Sequence, residues 1–196
     1  MLLLLVLIVG GLSAWLALGR YNIAADVPHT RPVLALLTLV RERSVAWHSR
    51  DITPPALDDP ALIRAGAGNY AAMCVGCHLA PGVDESELHR GLYPAPPRLD
   101  VADRISSPAR DFWVIKHGIK ASGMPAWGRS MEDRYIWGLT ALLQKLPSLS
   151  EAQYRELVAT SPGHAHGGGE GASTATPAKG SVHDHHHGRN GKPHDH

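Results

Sequence analysis

Cys74-Val75-Gly76-Cys77-His78 constrains this chain more than any other stretch. C-x-x-C-H is the attachment signature of a c-type haem. On one helical turn, residues three and four apart are neighbours. Both thiols then lie on one side, each able to form a thioether with a haem vinyl group, and His78 follows to bring an imidazole nitrogen to the iron. Two other chemistries use a Cys-x-x-Cys pair. A zinc site needs four ligands, and the chain has only two cysteines. Its nearest H-x3-H pair, His183 with His187, lies over a hundred residues away. A thioredoxin-like dithiol needs a βαβ pattern, and no credible run of strands is present.

Haem iron held by a histidine has a sixth position, whose occupant separates electron transfer from ligand chemistry. Met73 adjoins Cys74 and belongs to the histidine side. Met131 follows Ser130 and precedes Glu132 and Asp133, which reads as a first helical turn capped by Ser130. Met124 stands in Gly123-Met124-Pro125-Ala126-Trp127-Gly128, a loop stiffened by proline and bracketed by glycines. A thioether in such a loop suits iron and raises its potential. Met124 is therefore the expected sixth ligand, and His117, beside Gly118 at a helix end, is the runner-up.

C-V-G-C-H followed 46 residues after His78 by G-M-P-A-W-G resembles a class I cytochrome c domain of the bacterial membrane-anchored kind. Gly91-Leu92-Tyr93-Pro94-Ala95-Pro96-Pro97-Arg98-Leu99 resembles that family's proline-containing loop. Asp111-Phe112-Trp113-Val114-Ile115-Lys116-His117-Gly118-Ile119 resembles its helix leading into the methionine loop. The resemblance covers about residues 56–148 and implies a small all-α fold around one covalent haem c. It implies that a proline carbonyl, of Pro97 or else Pro96, accepts the Nδ1 proton of His78, that Leu99 packs against the porphyrin, and that Trp127 contacts the haem or serves as plain core. It also implies a tight crossing of the first and last helices, which Gly66 and Tyr70 fit with Trp137 as partner, and haem attachment outside the cytoplasm.

Leu2 to Gly19 is eighteen residues without a charge. At 1.5 Å per residue it reaches about 27 Å, close to the ~30 Å hydrocarbon core. Residues 1–20 therefore read as a transmembrane anchor or an uncleaved signal. Residues 21–55 read as a juxtamembrane segment with a short amphipathic helix over 33–40, bounded by Pro32 and Arg41-Glu42-Arg43. Residues 56–160, with a core over 58–147, form the haem domain. Asp59-Pro60 and Ser107-Pro108 each read as a helix start with a cap and a first-turn proline. Ile136, Leu139, Leu143 and Leu146 mark one face of a last helix that starts near Met131 and stops at Pro147.

After Ser161 the chain turns to Gly, Ala, Ser, Thr, Pro and His, so residues 161–196 read as a disordered tail. It holds eight of the thirteen histidines. His183, His185, His186, His187, His194 and His196, flanked by Asp, suit Cu²⁺, Ni²⁺ or Zn²⁺.

Residues 58–147 carry ten Lys and Arg against ten Asp and Glu, a balance that argues against a nucleic-acid partner. The expectation is an electron carrier rather than an enzyme: a monohaem cytochrome c tethered to the inner (cytoplasmic) membrane, its haem domain facing the periplasm or cell exterior, passing single electrons between protein redox partners. A cytochrome subunit of a dehydrogenase complex and a metal-handling protein using the His-rich tail are the alternatives.

Overall fold

The computed structural model describes residues 1–102 and 106–166. They form eight α-helices: α1 (Leu2–Ala17), α2 (Arg31–Ser49), α3 (Pro60–Met73), α4 (Val75–His78), α5 (Glu87–Gly91), α6 (Pro108–His117), α7 (Asp133–Leu143) and α8 (Glu151–Ala159). Two 3-10 turns, Trp127–Arg129 and Leu146–Ser148, flank α7. Among the described residues there is no strand, only an isolated bridge between Ala80 and Val83. The fold is all-α.

Side-chain caps set the starts of α3, α5, α6 and α8. The Asp59 carboxylate accepts from the Ala61 N–H at 2.8 Å, with Pro60 in the first turn, where its missing donor costs nothing. Ser107 caps α6 the same way. Ser150 and Gln153 close a reciprocal capping box on α8. The start of α7 differs from the expectation. Ser130 is drawn into the preceding 3-10 turn, its N–H bonded to the Trp127 carbonyl at 3.0 Å, and Glu132 takes the cap position. Met131 is thereby released from the helix and sinks into the core at 3% exposure.

The core lies where α3 crosses α7. A Cβ built on Gly66 would stand 2.0 Å from the Gly138 carbonyl oxygen, so the two backbones touch with no side chain between them. The partner at the crossing is Gly138 rather than Trp137. One residue earlier on α7, the Trp137 indole points elsewhere and stacks on Phe112 of α6, with ring centroids 3.9 Å apart. Ile63, Ala67, Tyr70, Ile136, Leu139, Leu142 and Leu146 fill the contact. Tyr154 of α8 meets Tyr70 edge-on at 6.4 Å.

The helix expected over 33–40 is longer, α2 running for 19 residues instead of eight. Arg41, Glu42 and Arg43 do not end it, because they stand at its surface and Glu42 pairs with Arg110 of α6. Val45 and Ser49 are buried, and His48 stacks on Trp113 at 5.5 Å, so the end of α2 is docked on α6. Leu36, Leu37, Leu39, Val40 and Trp47 are left exposed.

The span expected over Leu2–Gly19 requires correction: among the described residues no helix is long and apolar enough to cross a membrane. Helix α1 closes at Ala17 after 16 residues, and Gly19 takes a left-handed φ of 67°. That gives about 24 Å, short of the ~30 Å core.

The tail boundary at residue 161 also moves. Residues 161–166 lie back across α3, where the Ala165 N–H donates to Asn69 Oδ1 at 2.9 Å. His183, His185, His186, His187, His194 and His196 lie outside the described residues.

Gly66→Ala is expected to cost about 1–3 kcal/mol or more, since its methyl meets backbone that cannot move aside. Gly138→Ala, whose added methyl has its nearest neighbour at 3.3 Å, should cost less. Denaturant unfolding of the two variants checks the order.

Candidate metal centre

Helix α3 ends at Met73 and the chain enters the C-x-x-C-H turn directly. The N–H groups of Cys77 and His78 both reach the Cys74 carbonyl, at 3.0 and 2.8 Å, so the run does form one helical turn. Cys74, Cys77 and His78 are all half-buried. Burial, and secondarily the neighbouring Cys77 sulfur, pushes the Cys74 thiol up to about 12. An uncharged sulfur, thiol or thioether, is therefore favoured at that position.

The turn is too short to satisfy its own last carbonyls. Four residues from elsewhere in the fold supply donors instead. Ser86 Oγ donates to the Gly76 carbonyl. His89 Nδ1 donates to the Cys77 carbonyl at 2.8 Å. The Leu99 N–H reaches the His78 carbonyl at 3.3 Å. The Tyr70 hydroxyl donates to the Leu79 carbonyl at 2.7 Å. Leu79 itself has φ 59° and ψ −175°, a region that glycine favours and that costs other residues on the order of 1–3 kcal/mol. Its side chain, 1% exposed, and the Tyr70 bond hold it there, and the chain leaves the turn sharply after His78.

His78 Nδ1 lies 2.8 Å from the Pro97 carbonyl oxygen. A carbonyl only accepts, so Nδ1 carries the proton, and in the neutral ring Nε2 then carries the lone pair. The carbonyl is that of Pro97 and not Pro96. Pro97 is followed by Arg98, whose guanidinium grips the mostly buried Asp100 carboxylate at 2.8 and 3.1 Å. The hydrogen bond from Arg98, and then its charge, hold the Asp100 carboxyl below the usual carboxylate range. Leu99, between them, packs half-buried on the core.

Met124 is half-buried and packs against the same core from the other loop. That loop is tied back to α6 by the Ile119 N–H, which reaches the Met124 carbonyl at 3.2 Å. Gly118, at φ 65°, permits this approach; a Cβ there would lie 2.7 Å from the Met124 carbonyl oxygen. Gly123 lies against the Leu92 side chain, joining the methionine loop to the proline loop. Trp127, half-buried, opens the 3-10 turn beyond the loop. His117 is exposed and its ring lies 5.0 Å from Trp113.

Sequence reasoning missed Ser86, His89, Asp100 and the role of the Tyr70 hydroxyl. The only legible signal for α5 was Ser86 followed by Glu87, a cap and an acidic first turn. No motif tells which carbonyl a distant hydroxyl or imidazole will serve.

The donor set fits a covalently held haem: two neutral sulfurs on one turn, a histidine whose tautomer leaves Nε2 as the donor, and a thioether on a separate braced loop.

Tyr70→Phe withdraws the donor from a buried carbonyl and should cost about 1–3 kcal/mol in denaturant unfolding. The Asp100 carboxyl is lowered in the folded state, so its contribution to stability is present above the unfolded carboxylate range and is lost as pH falls through the folded value. Asp100→Asn should therefore flatten the stability profile below roughly pH 4 while leaving its shape near neutrality unchanged; unfolding curves across that range check it.

The family described as cytochrome C oxidase, cbb3-type, subunit III matches residues 61–143, from the first turn of α3 to the end of α7. No curated protein and no solved structure matches the chain significantly. The matched stretch contains the C-x-x-C-H turn, the proline loop and the methionine loop, and these residues form a c-type cytochrome domain, which implies a covalently bound haem c with its iron.

Proposed function

We propose that this protein is a membrane-tethered monohaem cytochrome c that carries single electrons between protein redox partners and makes no bonds in a substrate. The observation that carries the reading is the His78 Nδ1 contact to the Pro97 carbonyl at 2.8 Å, on the very turn that holds both thiols. Cys74 and Cys77 would hold the haem as thioethers, and His78 Nε2 and Met124 Sδ would ligate the iron. When bound, the haem supplies the one-electron couple. The chain's own part is to fix the ligands. Pro97 orients the imidazole and raises its basicity as a ligand. The braced Met124 loop keeps a soft donor in place, which favours the reduced state and disfavours exogenous ligands. Leu99 and Trp127 are assigned to the surroundings of the porphyrin.

Membrane tethering rests on the surfaces of α1 and α2. No residue of α1 is buried, and Leu2 to Val9 are all exposed and apolar. With Leu36, Leu37, Leu39, Val40 and Trp47 of α2 they form apolar area that water does not favour. These helices are assigned to a bilayer interface, on the periplasmic side of the inner membrane, where a C-x-x-C-H haem is attached. The subunit named in the matched family's description favours a second reading, in which the domain is the electron-delivering subunit of a larger oxidoreductase.

The test is an optical spectrum and redox titration of the purified protein. Wild type should show a low-spin haem c that does not bind carbon monoxide or cyanide readily. Met124→Ala should open the iron to both and lower the midpoint by on the order of a hundred millivolts, within the ~0.8 V that axial ligation spans. An unchanged spectrum and potential would remove Met124 from the iron.

A further inference from the structure

Three donor atoms meet at the end of α3, at the residue just before Cys74, and none of them is assigned to the haem above. His166 Nε2 lies 3.1 Å from Met73 Sδ and 2.5 Å from His164 Nε2. Met73 and His166 are 93 residues apart in the chain, so folding brings them together. We infer that Met73, His164 and His166 form a binding site for a single copper(I) ion.

The segment carrying the histidines is built into place. The Ala165 N–H donates to Asn69 Oδ1 at 2.9 Å, and Asn69 is 1% exposed on α3. The Glu132 N–H reaches the His166 carbonyl at 3.3 Å. Gly68 makes the crossing possible, because a Cβ there would stand 2.7 Å from the Gly163 carbonyl oxygen. The turn at Gly163, φ 85°, then sends His164 and His166 toward Met73. Trp127 covers the His166 ring edge-on at 6.5 Å. His164 is exposed, so an ion can enter from solvent.

The donor set selects the ion. Two neutral imidazole nitrogens at 2.5 Å must share one N–H between them, since two bare lone pairs would repel. When a metal ion takes the place of that hydrogen bond, the ring that donated it carries its proton on Nδ1 instead, so that both neutral rings offer an Nε2 lone pair, after a small opening of the pair, with the sulfur alongside. A thioether is a soft ligand that favours Cu(I). Zinc prefers four ligands, commonly with thiolate or carboxylate. Among the described residues, no three His, Cys, Asp or Glu side chains gather in one place to supply them. The site is distinct from the six tail histidines His183, His185, His186, His187, His194 and His196, and it does not depend on the haem assignment.

The test uses the full-length protein, loaded anaerobically with Cu(I) in competition with a chromophoric Cu(I) chelator, and copper X-ray absorption on the product. Wild type should hold one tight equivalent with a sulfur neighbour. Met73→Leu should lose the sulfur shell and bind that equivalent at least tenfold more weakly. A His164→Ala, His166→Ala double variant, altered beyond α8 where the core is not touched, should lose the equivalent altogether. Alanine at all six tail histidines should leave the sulfur-ligated equivalent intact. The proposal is overturned if wild-type copper has only nitrogen and oxygen neighbours, if Met73→Leu binds as wild type does, or if the tail variant alone abolishes uptake.

Discussion

The contact of Gly66 with Gly138 is the constraint on which the rest of the domain depends. Two helix backbones touch there without an intervening side chain, so α3 and α7 have one depth of approach. From that crossing α3 runs on to Met73 and delivers the C-x-x-C-H turn, while α7 begins just after the 3-10 turn that closes the methionine loop. A larger residue at Gly66 would lift one loop away from the other. The tight packing of Ile63, Ala67, Ile136, Leu139 and Leu142 around it means that such a shift has nowhere to be absorbed.

The second principle of the structure is carbonyl satisfaction. A one-turn helix cannot serve its own last acceptors, and here four successive carbonyls, of Gly76, Cys77, His78 and Leu79, take donors from Ser86, His89, Leu99 and Tyr70. Those donors come from α5, the proline loop and α3. The turn that carries the thiols and His78 is thereby held on several sides, including through a leucine at positive φ. Rigidity of this kind suits electron transfer, because ligands that are already in position need not rearrange when the charge on the metal changes.

Outside the cytochrome domain the same chain uses its leftover groups. The end of α2 is docked on α6 through His48, Trp113, Glu42 and Arg110, while the apolar residues along its exposed side stay uncovered. Residues 161–166 fold back over Gly68 and Asn69 and bring two imidazoles to a methionine next to the first cysteine. Neither arrangement interrupts the crossing of α3 with α7. Each adds a surface to it.

Much of this was legible in the residues alone. The all-α class, the caps at Asp59 and Ser107, the helical turn at Cys74–His78 and the loop around Met124 follow from local rules, since each is decided within a few residues along the chain. The pairing of Gly66 with Gly138 rather than Trp137, the choice of Pro97 over Pro96, the release of Met131 into the core and the meeting of Met73 with His166 were not readable. Those outcomes turn on which groups approach from distant segments, and a local pattern carries no distance. The sequence determined which chemistry this protein possesses; the tertiary structure decided where each donor is aimed, because only packing fixes the position of one helix against another.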